Sequence, residues 1–257
     1  MPAPKAPPRV PPTVPPPVSK PPAPTPSGVE REISDLMSNI STYYSRKVSL
    51  LDLLRSGEVS ERVFLKLYEE YSGRLNDLLN ARVSRMEELR RQLEERDKRF
   101  DEVKLTLEEL EVRHKIGELD DKTFSERAER LRAEEKSLEA SVKALRANLD
   151  HLERLFSDMS PKEILNLEGR IRACYDSLDR LVEEKRISRE TADKIKPDLE
   201  EALNLIDAII GERKERERRL REQLEALHAR YRVSEISIEE YERRKREIQE
   251  EIDKIWV

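Results

Sequence analysis

The chain has 257 residues, 41% of them charged and 5% aromatic, with six glycines. This balance belongs to long helices and coiled coils and excludes a wide globular core. The 50 basic and 55 acidic residues leave a net charge of −5 and are interleaved, which excludes a strong pull toward nucleic acid or an anionic membrane.

Residues 1–28 hold thirteen of the fifteen prolines, among them Pro11, Pro12, Pro15, Pro16 and Pro17. Proline at this density forbids helices and sheet ladders and favours extended polyproline II. The stretch carries Lys5, Arg9 and Lys20, with no acid before Glu30. It reads as a disordered leader, or as a docking peptide for a groove on a partner protein.

Helical text begins near Glu30. Leu36, Ile40, Tyr43, Lys47, Leu51 and Leu54 fall three or four apart, and Gly57 stands ready as a left-handed C-terminal cap. Ser60 is a candidate N-cap for the stretch that organises the chain, residues 60–115. Its seam runs from Leu65 and Tyr68 through Met86, Leu93, Phe100 and Leu107 to His114, with Arg82 and Arg96 interrupting it. A sustained seam of this kind marks a helix that packs on other helices. Arg82 reads as a point where no partner covers the helix, and Arg96 either as that or as a buried, paired arginine. Gly117 and Asp120 form a second tip, followed by a seam from Phe124 to Phe156. The short connections force antiparallel hairpins, so residues 29–158 form a Z, with helices at about 30–56, 60–115 and 120–157.

Ser160, Pro161 and Glu163 open a second, shorter Z over 159–257 with a capping box. Its helices fall at about 161–184, 188–232 and 237–256, with tips capped by Ser188 and Ser237. Cys174 fits the first of these seams as a small apolar residue, and a lone cysteine suits a reducing compartment. Pro197 lies inside the second long helix, where a kink or break is expected. Residues 212–219 contain no apolar seam residue, so that stretch is expected to be exposed or to need another chain's charges. The fold class is therefore all-α, an elongated array of antiparallel helical hairpins in two Z-shaped units.

The four tips share a pattern: Gly57-Glu58-Val59-Ser60, Gly117-Glu118-Leu119-Asp120, Lys185-Arg186-Ile187-Ser188 and Ser234-Glu235-Ile236-Ser237. Each places an apolar residue before the cap, able to staple onto the next helix. In the order and spacing of its first two tips, residues 34–156 resemble the coiled-coil region of the archaeal cell-division protein family CdvA. The resemblance implies a filament-forming scaffold of archaeal division that works with DNA or on membranes and recruits ESCRT-III-like proteins. It would place the chain at the division site or the inner membrane surface. In this chain the proline-rich stretch stands where that family carries a β-rich barrel.

The residues themselves offer no chemistry of catalysis. His114, His151 and His228 stand apart from one another, so no zinc spacing exists. The glycines never form a phosphate-cradling loop. No cofactor or metal is expected, no run of residues reaches the roughly 18 apolar positions of a membrane span, and no secretory signal opens the chain. The protein reads as a cytoplasmic, non-enzymatic coiled-coil scaffold that self-associates along its seams. The alternatives are an ESCRT-III-like membrane-remodelling subunit and a DNA-associated coiled coil, for which Arg213, Lys214, Arg216, Arg218, Arg219 and Arg221 form the best patch.

Overall fold

A computed structural model describes residues 28–257. Residues 1–27, and with them Pro11, Pro12, Pro15, Pro16, Pro17 and the expected disordered or docking leader, lie outside the described residues. The described residues form six helices: α1 Gly28–Ser56, α2 Glu61–Lys115, α3 Asp121–Glu153, α4 Pro161–Glu183, α5 Arg189–Arg232 and α6 Ile238–Ile255. At about 1.5 Å per residue α2 is a rod of about 80 Å.

Both Z shapes are present. α1 and α3 pack on successive parts of α2, and α4 and α6 on successive parts of α5. The two are also joined: α1 lies against α4, and one hydrophobic core runs through residues of all of α1 to α5, including Ile40, Phe64, Leu152, Ile171 and Ile195. The joined region is a four-helix bundle made of α1, α4 and the first parts of α2 and α5. From its far end α2 continues with α3 as one prong, and α5 continues with α6 as another. From Arg82 the first prong extends about 50 Å, and from Arg213 the second about 30 Å. The second prong is held by two small separate clusters, Leu220 with Ile252 and Ile255, and Leu227 with Ile236 and Tyr241.

The two Z shapes differ in a regular way. The caps Ser60 and Asp120 are 60 positions apart and the caps Ser188 and Ser237 are 49 apart. The difference is 11 residues. That is about three helical turns, a length that leaves the seam on the same face.

Polar ties lock the bundle. Asp198 of α5 accepts hydrogen bonds at 3.0 Å from Lys47 Nζ of α1 and from the Tyr68 hydroxyl of α2, and the Lys47 ammonium lies over the Tyr68 ring. Burial, reinforced by the Asp198 carboxylate, pushes the Tyr68 hydroxyl pKa far up, so it stays a donor. Arg170 of α4 donates to Asp52 and Ser49 of α1. Glu168, its side chain 6% exposed, accepts from Arg172 and from Lys214 of α5. Burial opposes its charge, yet those two cations more than offset it and hold the carboxyl below its usual range.

Two expectations are corrected. α3 stops at Glu153 rather than near 157, because Leu155 and Phe156 turn inward and are buried; the Phe156 ring meets the edge of Tyr44 at 5.0 Å. α5 runs through Pro197 without a break, so of the kink or break expected there the break does not occur. Ile195 and Leu199, 0% and 2% exposed on either side of it, anchor both flanks in the core, and that packing outweighs the one lost backbone bond.

Candidate functional site at the tips and the fork

All four tips close in the same way. The N–H of Glu58, Glu118, Arg186 and Glu235 donates to the carbonyl five residues back, on Leu53, Arg113, Leu181 and Arg230, at 2.9–3.0 Å. This is the Schellman closure, which needs a left-handed residue just before the donor. Gly57 and Gly117 supply it with φ of 84° and 81°, while Lys185 and Ser234 adopt it with φ of 56° and 59°. Asp120, Ser188 and Ser237 then accept from the N–H three residues on, at Thr123, Thr191 and Glu240. Ser60 occupies the same extended N-cap position and makes no side-chain cap bond. Ser160 and Glu163 form the full reciprocal capping box. For Ser237 and Glu240 only the serine half is made, since the Glu240 carboxylate pairs with Arg244.

The structure brings two tips together and leaves two apart. Gly57 and Ser188 meet at the closed end of the bundle. There Arg186 donates to the carbonyls of Leu54 and Arg55, capping α1 from the other Z. Glu61 in turn accepts from the Ser188 N–H, the Ser188 hydroxyl and the Thr191 hydroxyl. Those bonds hold the Glu61 carboxyl below its usual range. Gly117 with Asp120, and Ser237, stand at the ends of the separate prongs.

At the opposite end of the bundle, where the prongs part, two arginines repeat one role. Arg82 Nε donates to the Leu152 carbonyl at 2.6 Å and its Nη2 to Glu153 at 3.2 Å, capping α3; Arg213 donates to the Ile255 carbonyl, capping α6. Burial pulls the Arg82 pKa down, against the pull of Glu153. This corrects the reading of Arg82 as an uncovered position. Arg96 is the exposed one. The two caps flank a cleft of about 570 Å³ floored by Phe156, Ile164, Leu205 and Ile210.

Residues 212–219 lie beside this crossing and are largely exposed, as expected of a stretch without apolar seam residues, with Glu212, Arg213, Arg216, Arg218 and Arg219 on the surface; their charges are paired within the chain. Lys214 reaches Glu168 and Asp207, Arg216 reaches Glu251, and Glu217 accepts from the Trp256 indole N–H at 2.7 Å. The basic patch is therefore spent locally, with Arg218 and Arg219 on Glu215 and Arg221 on Glu217.

Sequence reasoning missed Arg186, Glu61 and Asp198. A signal for Arg186 was present: three tips carry glutamate at that place and this one reverses the charge. Cys174 is 0% exposed, and burial pushes its thiol up to about 12. Of the histidines, His114 stacks on Phe124 and bonds Asp121, and His228 meets Tyr241. No group of metal-ligating side chains occurs among the described residues, and no described helix is long and apolar enough to cross a membrane. No family model, curated protein or solved structure matches the chain.

Proposed function

We propose that this protein is a non-enzymatic helical scaffold: a rigid bundle that holds two coiled-coil prongs apart and self-associates through their ends. The observation that supports it is a difference among the tips. Just before the left-handed residue, the bundle tips carry Ser56 and Glu184, whereas the prong tips carry Ile116 and Val233, 65% and 73% exposed. Ile238 beside the second prong tip, and Leu105 and Val112 along the first, extend the apolar surface. Exposed aliphatic residues collected at protruding ends favour contact with another surface. The division-scaffold reading adds a setting to this architecture and rests on the tip pattern shared with the CdvA coiled coil.

Light scattering on the gel-filtered full chain over a concentration series tests the proposal. Mass that grows with concentration, and falls back to about 30.2 kDa in an Ile116→Glu/Val233→Glu variant, supports it. A concentration-independent monomer contradicts it.

A further inference from the structure

The outer face of α1 carries a feature that the scaffold reading does not use. Ser38, Ser41, Thr42, Ser45 and Ser49 follow one another on a single face and floor a groove of about 580 Å³. Leu67 and Tyr71 of α2 wall it on one side, and Met159 with Glu163 on the other. The edge of Tyr71 meets the Tyr43 ring at 6.1 Å, and the Arg46 guanidinium lies over Tyr43 at 5.1 Å. Ser41 is only 9% exposed, and its hydroxyl has no hydrogen-bond partner among the described residues. A buried unpartnered hydroxyl costs about 1–3 kcal/mol, so such groups call for an explanation.

The chemistry of the groove is that of a hydroxyl ladder with apolar, aromatic walls. A polyproline II segment is its complement, because it makes no internal hydrogen bonds and leaves its carbonyls free. Proline also has no N–H, so such a segment is rich in acceptors and poor in donors. Aromatic-walled grooves recognise it, and little entropy remains to be lost on binding. The sequence offers several proline-rich stretches, and residues 10–18, with five prolines among Val10, Thr13, Val14 and Val18, are the longest uncharged one whose distance from Gly28 lets it lie along the groove.

We propose that the α1 groove is a binding site for a polyproline II segment and that its occupant is residues 10–18 of the same molecule. Lengths agree. The groove from Ser38 to Leu53 runs about 23 Å at 1.5 Å per residue, which about seven residues of polyproline II span at 3.1 Å each. The ten steps from residue 18 to Gly28 reach about 31 Å in that form, against about 15 Å from Gly28 to the groove mouth at Ser38.

Disulfide trapping in the full chain tests this. Thr13→Cys is paired with Ser45→Cys in the groove, or with Asp77→Cys, exposed on α2 outside it; Cys174 is buried and stays out of the exchange. In a dilute thiol–disulfide buffer the groove pair is expected to close within one chain at least about tenfold faster than the control pair, the mark of a docked segment over a tethered one. Tyr71→Ala, and separately Pro15→Ala/Pro16→Ala/Pro17→Ala, which leaves the bundle untouched, should each return the groove pair to the control rate. Equal rates for the two pairs, indifference to the proline variant, or crosslinks that join two chains would overturn the proposal.

Discussion

The bundle and the prongs are built from the same helices, yet they bury their residues at different densities. In α4, inside the bundle, Ile164, Leu167, Glu168, Ile171, Cys174, Ser177, Leu178 and Leu181 are all buried within 23 residues. Along α2 beyond Arg82, only Leu89, Val103 and Leu110 are buried, at heptad multiples. A helix packed between two others, as α4 is between α1 and α5, buries a broad stripe, and a helix with one partner buries a line. The prong's ion pairs, such as Arg99–Glu134 and Arg146–Asp97, are about half exposed and contribute little each, about 0–1 kcal/mol. Stability therefore resides in the bundle, and the prongs are the parts free to open.

The sharpest way to break the comparison is a matched pair of core truncations. Phe64→Ala, at a site 0% exposed in the bundle, should cost about 3–5 kcal/mol and lower the whole unfolding transition. Leu110→Ala, at a prong site 7% exposed, should instead speed amide exchange locally and leave the main calorimetric transition nearly in place.

Next come the arginine caps. Arg186→Met leaves two carbonyls at the closed end without their cap and should cost about 1–3 kcal/mol in urea unfolding. Arg82→Met should cost less globally and show as fraying of α3 around Leu152. At the glycines, Gly57→Ala suffers twice, from its left-handed φ and from a Cβ that runs into the Arg186 guanidinium, whereas Gly117→Ala meets open space and pays only for φ. About 2 kcal/mol against about 1 is expected. Conversely, Lys185→Gly and Ser234→Gly relieve left-handed side chains and should stabilise, by up to about 1 kcal/mol each.

The smallest effect is a pH dependence. The Ser188 and Thr191 bonds hold the Glu61 carboxyl below its ordinary 4.5. Its contribution is thus present above 4.5 and is lost as pH falls through the lower folded value. Acidification through that window should loosen the closed end, and Glu61→Gln should flatten this part of the stability–pH curve.

Helices, tips and most caps were legible because they depend on local chemistry: glycine at left-handed sites, serine or aspartate at N-caps, an apolar residue before them. The seam of α4 could be read directly, since its spacing follows the buried residues. What local periodicity does not encode is who covers a stripe. In α1 the sequence suggested Leu36, Ile40, Tyr43 and Lys47, of which only Ile40 is buried, while Leu36, Tyr43 and Lys47 are half-buried and Ile33, Met37, Tyr44 and Val48 are buried beside it, because α4 and α3 cover what α2 does not. Arg82 illustrates the same limit. An arginine on a seam looks uncovered until the carbonyls of a distant helix end arrive beside it.

The two Z-shaped halves share one cooperative core while each prong opens by itself. Hydrogen exchange read by mass spectrometry on the full chain tests this most directly. Segments around Ile40, Phe64, Ile171 and Ile195 are expected to share one slow exchange rate and respond together to urea, while segments around Val103, Val142, Leu227 and Tyr241 exchange much faster. If residues 30–156 instead protect as one unit and residues 161–257 as another with a separate urea response, the halves fold independently and the shared bundle is wrong.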